Sequence, residues 1–301
     1  MKHLLKMSDL SKVELYELLD LADQLKAEVK AGNFKPYLKN KTLGLIFQKS
    51  STRTRVSFEV GMQQLGGYPL FLNANDMQIG RGEPIKDTAR VLSRYLDGIM
   101  IRTYGQNEVE DFAQYGSIPI INGLTDYAHP CQILADLMTI REYKGKLEGL
   151  KIAYIGDGNN MANSLIVGAL LAGMKISVAC PKGYEPAEDI LAKETNNPDF
   201  ELVEDPKKAA VNADVVITDV WASMGDEDES SVRAEVFGGV YQVNDKIMEL
   251  ANNDAMVLHC LPAHREEEIS EKVFEAHADE IFDEAENRLH AQKAVLVKLL
   301  G

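Results

Sequence analysis

Cysteine is scarce in this chain of 301 residues. The three present, Cys131, Cys180 and Cys260, cannot all pair, and none stands in a C-x-x-C. That argues against a disulfide framework and suits a reducing compartment, so a cytoplasmic protein is expected. Long apolar runs are also missing. No stretch approaches the roughly 18 apolar residues of a membrane span, and the opening Met1–Ser8 lacks the apolar core of a secretory leader. Positive charge is short: Lys and Arg total 32 against 47 Asp and Glu, a formal charge of −15. Nucleic acid is therefore not an expected partner. Low-complexity tracts and internal sequence repeats are absent too. What remains is a chain long enough for two ordinary domains, with 45% apolar residues to fill their cores.

In so acidic a chain, a local cluster of arginines marks a candidate anion site. One such cluster is Ser50-Ser51-Thr52-Arg53-Thr54-Arg55. It follows the apolar run 42–47, which reads as a buried strand. It precedes Phe58, Gly61, Met62 and Leu65, which share one face of a helix. A helix N-terminus offers unpaired N–H groups and the positive end of a dipole to a phosphate. Ser51, Thr52 and Thr54 add hydroxyls, and Arg53 adds a planar fork. A plain N-cap accounts for the Ser and Thr but not for the arginines.

The rest of the first half alternates short apolar runs at 68–72, 98–101 and 118–121 with helical patterns. An amphipathic helix over 8–30, broken near Ser11, comes first. Alternation of this kind predicts βαβ units and a parallel sheet, with ligands at the carboxyl ends of the strands. There stand Arg102, and then His129, Pro130, Cys131 and Gln132 at the start of a helix. Each alone reads as a solvated arginine or a structural histidine; convergence on one sheet edge favours a site. Between 68–72 and a helix near Lys86 lies an aperiodic stretch, 73–84, that contains Gln78. A polar break at 144–150 opens a second alternating series, with strands at 151–155, 176–179, 200–203, 215–218 and 256–259. The fold class expected is α/β: two doubly wound parallel-sheet domains, 1–143 and 144–284, with a last helix over 285–301 returning to the first.

In the second half, Gly156-Asp157-Gly158-Asn159-Asn160-Met161-Ala162 imitates a dinucleotide fingerprint, but its sixth position is Ala. The strand ending at Ala179 carries no acidic residue for a ribose, which argues against a nicotinamide cofactor. Asn160, at the helix start, can instead meet an amino-acid carboxylate or amine. Asp219 offers a carboxylate to a cationic amine, and Ser223 and Met224 follow it on a loop ending at Gly225. A metal held by His259, Cys260 and His264 fits no zinc spacing, so no metal is expected.

Five stretches in this order, S-T-R-T-R, H-P-C-Q, D-G-N-N-M, D-V-W-A-S-M-G and H-C-L-P-A, resemble the aspartate/ornithine carbamoyltransferase family over almost the whole chain. The S-M-G element resembles its ornithine-using members. The resemblance implies transfer of the carbamoyl group of carbamoyl phosphate to the δ-amine of L-ornithine, giving L-citrulline and phosphate, with no metal or organic cofactor. It implies that carbamoyl phosphate meets Ser51, Thr52, Arg53, Thr54, Arg102, His129, Gln132, Cys260, Leu261 and Arg288, with Gln78 supplied by a neighbouring chain of a homotrimer. Ornithine would meet Asn160, Asp219, Ser223 and Met224. Arg102, His129, Asp219 and Cys260 would serve the reaction itself. A carbamoyltransferase for another amine, such as putrescine, would share the first-half motifs but lack S-M-G. A non-catalytic binding subunit is disfavoured because Arg53 and Arg102 are intact.

Overall fold

The computed structural model describes residues 1–222 and 230–301, which form two compact units. The first comprises Met1–Met138 and Asn287–Gly301, the second Thr139–Glu286. The first unit holds a four-stranded parallel sheet of β1 (Thr42–Phe47), β2 (Tyr68–Asn73), β3 (Gly98–Arg102) and β4 (Ile120–Leu124), in the order β2-β1-β3-β4. Its helices are α1 (Lys12–Lys30), α2 (Thr52–Gln64), α3 (Ile85–Leu92), α4 (Gln106–Tyr115) and the first part of α5 (Pro130–Lys144). Strand β1 is buried from Leu43 to Phe47, as expected of an inner strand covered on both faces.

In the second unit β5 (Lys151–Ile155), β6 (Lys175–Ala179), β7 (Phe200–Val203), β8 (Val215–Thr218) and β9 (Met256–His259) form a parallel sheet in the order β7-β6-β5-β8-β9. Helices α6 (Asn160–Leu171), α7 (Glu188–Glu194), α8 (Pro206–Ala210), α9 (Ser230–Phe237), α10 (Asp245–Met248) and α11 (Glu271–Ala276) accompany it. The last helix, α12 (Ala278–Leu300), begins in the second unit and ends in the first.

Strand order decides where a site can lie. From β1 the chain winds outward to β2, then crosses back to β3 on the other side of β1. The crevice outside the carboxyl ends of β1 and β3 is thus a topological switch point. The second sheet repeats the device between β5 and β8. Among the described residues, no helix is long and apolar enough to cross a membrane.

The break expected near Ser11 is present, and three other local details depart from the sequence reading. The cap of α1 is Ser11, in a capping box with Glu14, after a separate 3-10 turn at Met7–Asp9. Strand β4 is displaced to Ile120–Leu124, because Pro119 cannot donate to a ladder and Leu4 pairs further along: Leu4 N–H donates to Ile120 O at 2.9 Å, and Asn122 N–H to Leu4 O at 2.8 Å. The aperiodic stretch contains two 3-10 turns, Ala74–Asp76 and Ile79–Arg81. Helix α12 starts at Ala278, earlier than the expected 285. Its early carboxylates are used by the second sheet: Glu280 accepts from Val257 N–H at 2.8 Å and Glu284 from His259 N–H at 2.9 Å.

Candidate active site

The first unit brings several of the expected residues together. Ser51 is the N-cap of α2, and its hydroxyl accepts from Thr54 N–H at 3.2 Å. Thr52 is exposed, Arg53 is half-buried, and Thr54 is buried. Arg55 leaves the group: it pairs with Glu59 at 2.9 Å and lies over the Phe71 ring at 3.6 Å. Of the two arginines in the loop, Arg53 is the one left as a candidate for an anion site.

The loops after β1, β3 and β4 are laced together. Gln48 N–H donates to Arg102 O at 2.9 Å, Thr103 N–H to Leu124 O at 3.0 Å and Asp126 N–H to Tyr104 O at 2.9 Å. Lys49, 7% exposed, reaches Asp126 at 2.5 Å and lies 4.1 Å from the centroid of the Tyr104 ring. This lacing holds Arg102, 6% exposed, at the end of β3, and carries the chain into His129 at the head of α5.

His129 is 5% exposed. Burial is the main cause that holds its pKa well below the usual imidazole value; the positive charges of Arg288, Arg102 and Arg53 add to it. The ring is therefore neutral at neutral pH, with three guanidiniums close enough to act on it. Gln132, 1% exposed, is oriented from both sides: its Nε2 donates to Asp136 at 2.8 Å and its Oε1 accepts from Arg288 at 2.6 Å. Arg288 also donates to Thr54 Oγ1 at 3.1 Å. The neighbouring Cys131 is buried, its thiol pushed up by burial to a pKa of about 12, and is inert. Gln78 stands exposed before the second 3-10 turn, where its carbonyl accepts from Arg81 N–H at 2.8 Å and Glu83 N–H at 3.0 Å. No described hydrogen bond of Gln78 reaches the Ser51–Thr54 loop.

The second unit gathers a different set. Asp219 follows β8, and its carboxylate accepts from the Cys260 thiol at 3.0 Å, from Asn159 Nδ2 at 2.9 Å and from Val220 N–H at 2.8 Å. Asn159 was not singled out by the sequence reading. It caps α6, its Oδ1 accepting from Met161 and Ala162 N–H, and its amide then reaches Asp219. Asn160 is the first residue of α6 and 8% exposed. Asp157, also buried, pairs with Arg233 at 2.7 Å. Ser223 and Met224 lie outside the described residues.

His259 ends β9 with both ring nitrogens engaged. Nδ1 accepts from Leu261 N–H at 2.9 Å, so the proton sits on Nε2, which donates to the buried Glu268 at 3.0 Å. Leu261 is held at a φ of +58°, a left-handed conformation unfavourable for a leucine. Among the described residues, Asp219, His259 and Cys260 present donor atoms within 4.8 Å of one another, as do His264, Glu267 and Glu268. In the first trio the His259 nitrogens are spent on Leu261 and Glu268, and the thiol donates to Asp219.

The dinucleotide-like glycines also have an internal explanation. A Cβ on Gly158 would lie 2.3 Å from Glu185 C and from Pro186 N, and Gly158 N–H donates to Tyr184 O at 2.8 Å. The close backbone approach that a dinucleotide would need at this glycine is taken by the chain itself.

Comparison with known proteins identifies the family. A family model described as the aspartate/ornithine carbamoyltransferase carbamoyl-P binding domain matches residues 2–142, and the Asp/Orn binding domain of the same family matches 148–299. The chain is 58% identical over 302 residues to the ornithine carbamoyltransferase of Carboxydothermus hydrogenoformans, covering 99% of this chain and 97% of that one. Among solved structures, ornithine carbamoyltransferase from Pyrococcus furiosus has a TM-score of 0.93 at 49% identity, covering 100% of this chain and 97% of that chain. The anabolic ornithine carbamoyltransferase from Campylobacter jejuni has a TM-score of 0.92 at 44% identity, with 99% of each chain covered.

Proposed function

We propose that this chain, which belongs to the aspartate/ornithine carbamoyltransferase family, transfers the carbamoyl group of carbamoyl phosphate to the δ-amine of L-ornithine, releasing L-citrulline and phosphate. The observation that carries the reading is the meeting of Arg288 with Thr54 and Gln132 beside His129, where the charges of Arg53 and Arg102 also act on the ring. Such a cluster suits a small dianion whose transfer moves charge onto a carbonyl oxygen.

Each residue then has a role in the proposal. The leaving phosphate lies in the Ser51–Thr54 loop, against Arg53 and the N-terminal end of α2. Arg102, His129 and Thr54 donate to the carbamoyl oxygen as charge develops there. A neutral imidazole still has an N–H to donate, so its depressed pKa does not cost His129 that role. Arg288 and Gln132 position the carbamoyl group, with Cys260 and Leu261 beside it. Asp219 and Cys260 receive the attacking amine, while Asn160, Ser223 and Met224 take the amino-acid end. None of these residues has to form a covalent bond, so orientation supplies much of the rate. The amine must lose its proton to attack, and a lysine-like amine has a pKa of about 10.4; turnover should therefore climb with pH through the neutral range.

The wider assignment is part of the same proposal: a cytoplasmic enzyme of arginine metabolism, working as a homotrimer with Gln78 lent to a neighbouring chain. The exposed edge strand β2, with Tyr68 62% and Leu70 36% exposed, supports an association surface on the first unit. The deciding assay offers ornithine, putrescine and aspartate in turn with carbamoyl phosphate. Citrulline from ornithine alone supports the reading; turnover with putrescine or aspartate and none with ornithine refutes it.

A further inference from the structure

Arg288 has a partner on its own helix that no motif announces. Gln292 stands one turn further along α12, on the same face, and is 1% exposed. A guanidinium only donates, so the amide oxygen of Gln292 must face it. In that orientation the oxygen accepts from Arg288 Nη2 at 3.0 Å and Nε at 3.1 Å, while the amide nitrogen donates to Ser57 Oγ at 2.6 Å. The Ser57 hydroxyl in turn donates to the Thr54 carbonyl at 3.2 Å. With the bonds from Arg288 to Gln132 and Thr54, and from Gln132 to Asp136, the first unit contains one continuous line: Ser57, Gln292, Arg288, Gln132, Asp136.

We propose that Gln292 and Ser57 are positioning residues that set the rotation of the Arg288 guanidinium, and through it the Gln132 amide and the Thr54 hydroxyl. This rests on the reading that those three groups serve carbamoyl phosphate. The physical need is clear. Arginine has a long stem and much rotamer freedom to lose on being fixed. Gln132 and Thr54 hold one side of the guanidinium; Gln292 grips the Nε edge, and two bonds to one oxygen define the plane. Ser57 fixes Gln292 because the amide must donate somewhere when its oxygen is spent. The neighbouring contact reinforces the geometry. Gly61, one turn beyond Ser57, has no side chain, and a Cβ there would lie 3.2 Å from the Lys293 stem, so α2 and α12 come close at this level.

The test compares full-length Gln292→Leu, Gln292→Glu, Ser57→Ala and the double variant Ser57→Ala/Gln292→Leu by calorimetry with carbamoyl phosphate and by steady-state kinetics. Gln292→Leu should raise the Kd for carbamoyl phosphate at least tenfold, while the KM for ornithine at saturating carbamoyl phosphate stays within twofold. Gln292→Glu keeps an acceptor toward Arg288, and Ser57 can turn to donate to it, so it should bind within threefold of wild type. Ser57→Ala should weaken binding at least threefold alone and add nothing on top of Gln292→Leu, since both act through one line. Binding by Gln292→Leu within twofold of wild type overturns the proposal. So does a Glu variant no better than Leu, or a double variant whose loss is the product of the single losses. If Gln292→Leu does not fold, Ser57→Ala decides: an unchanged Kd overturns it. A second readout does not depend on function. The Nε–H of Arg288 should give a protected nitrogen–proton NMR signal, assigned by its absence in Arg288→Lys, that is lost in Gln292→Leu; if it persists unshifted, Gln292 does not position the group. A wild type that binds no carbamoyl phosphate refutes the functional reading alone, and the NMR signal then still decides the positioning.

Discussion

The thiol of Cys260 donates to Asp219 Oδ1 at 3.0 Å, joining the ends of β8 and β9 across a separation of 41 residues in sequence. The same carboxylate takes the Asn159 amide on its other oxygen. A carboxylate so held is aimed rather than mobile, and it presents charge where a cationic amine would approach. Asp219→Asn should therefore abolish most ornithine turnover, by at least about a hundredfold in kcat/KM, the order expected for a group acting on the reacting amine, while carbamoyl phosphate binds normally. Calorimetry with each substrate checks it: normal ornithine use by the variant, or lost carbamoyl-phosphate binding in a folded variant, removes Asp219 from the amine site.

Arg53 tests the other substrate. In the proposed reaction its loss takes a charge-assisted contact from the leaving phosphate, so Arg53→Ala should lower kcat and weaken carbamoyl phosphate with little effect on the KM for ornithine. A change of less than about threefold, worth less than about 0.7 kcal/mol, would show that the loop binds without Arg53.

His129 links the site to acid stability. The folded ring has a pKa well below the usual value, chiefly through burial, whereas the unfolded chain titrates near 6.5. Between those two values the unfolded state holds a proton that the folded state refuses. Stability therefore falls as the pH drops below about 6.5, by at most ~1.4 kcal/mol per pH unit for one such group. His129→Gln removes this term, and denaturant melts between pH 7 and 5 should show a flatter slope than wild type. Parallel slopes would mean that the ring titrates alike in the folded and unfolded protein.

Lys293 carries a stability cost of the opposite pH range. It is 2% exposed, and burial draws its ammonium down to a pKa of about 8, with only Gln64 as a described hydrogen-bond partner at 2.9 Å. Below that pH the folded state must bury a charge. Lys293→Met, similar in length, should stabilise the protein at pH 7 by about 1–3 kcal/mol. The gain should shrink as the pH rises from 8 toward 10, where the wild-type folded state has shed the proton and the unfolded state has not. Chemical denaturation at pH 7 and pH 10 measures both; an equal effect at the two values would rule out the charge as its cause.

The proposed loan of Gln78 to a neighbour is open to complementation. Arg53→Ala spoils a chain's own phosphate loop, and a bulky replacement of Gln78 spoils the neighbour's site. Each homo-oligomer should be nearly inactive. Dissociated and remixed in equal amounts, they should recover about a quarter of the sites, those whose own chain keeps Arg53 and whose donor keeps Gln78. Confirmed subunit exchange with no return of activity would place Gln78 outside any shared site.

Local chemistry was legible in the sequence; partnership across the chain was not. Ser51 could be read as a cap because a cap bonds within its own first turn, and β1 and β9 as buried strands because an inner parallel strand is apolar throughout. The alternation of strands and helices was enough to predict two parallel sheets and a site at their carboxyl ends. The break of α1 at Ser11 was legible for the same reason, although its capping box was not recognised. Strand order was not legible, because a βαβ pattern leaves the direction of winding open after each crossover; that order places the crevices between β1 and β3 and between β5 and β8. Arg288 and Gln132 meet across 156 residues, Asn159 and Asp219 across 60. Nothing local marks such pairs, and Gln292, an ordinary helical glutamine by sequence, meets Ser57 only once α2 and α12 lie side by side. The sequence alone determined which residue types stand at the strand ends. The tertiary structure decided which of them share a hydrogen bond, because close contact between distant segments depends on sheet order and helix packing, which no single segment encodes.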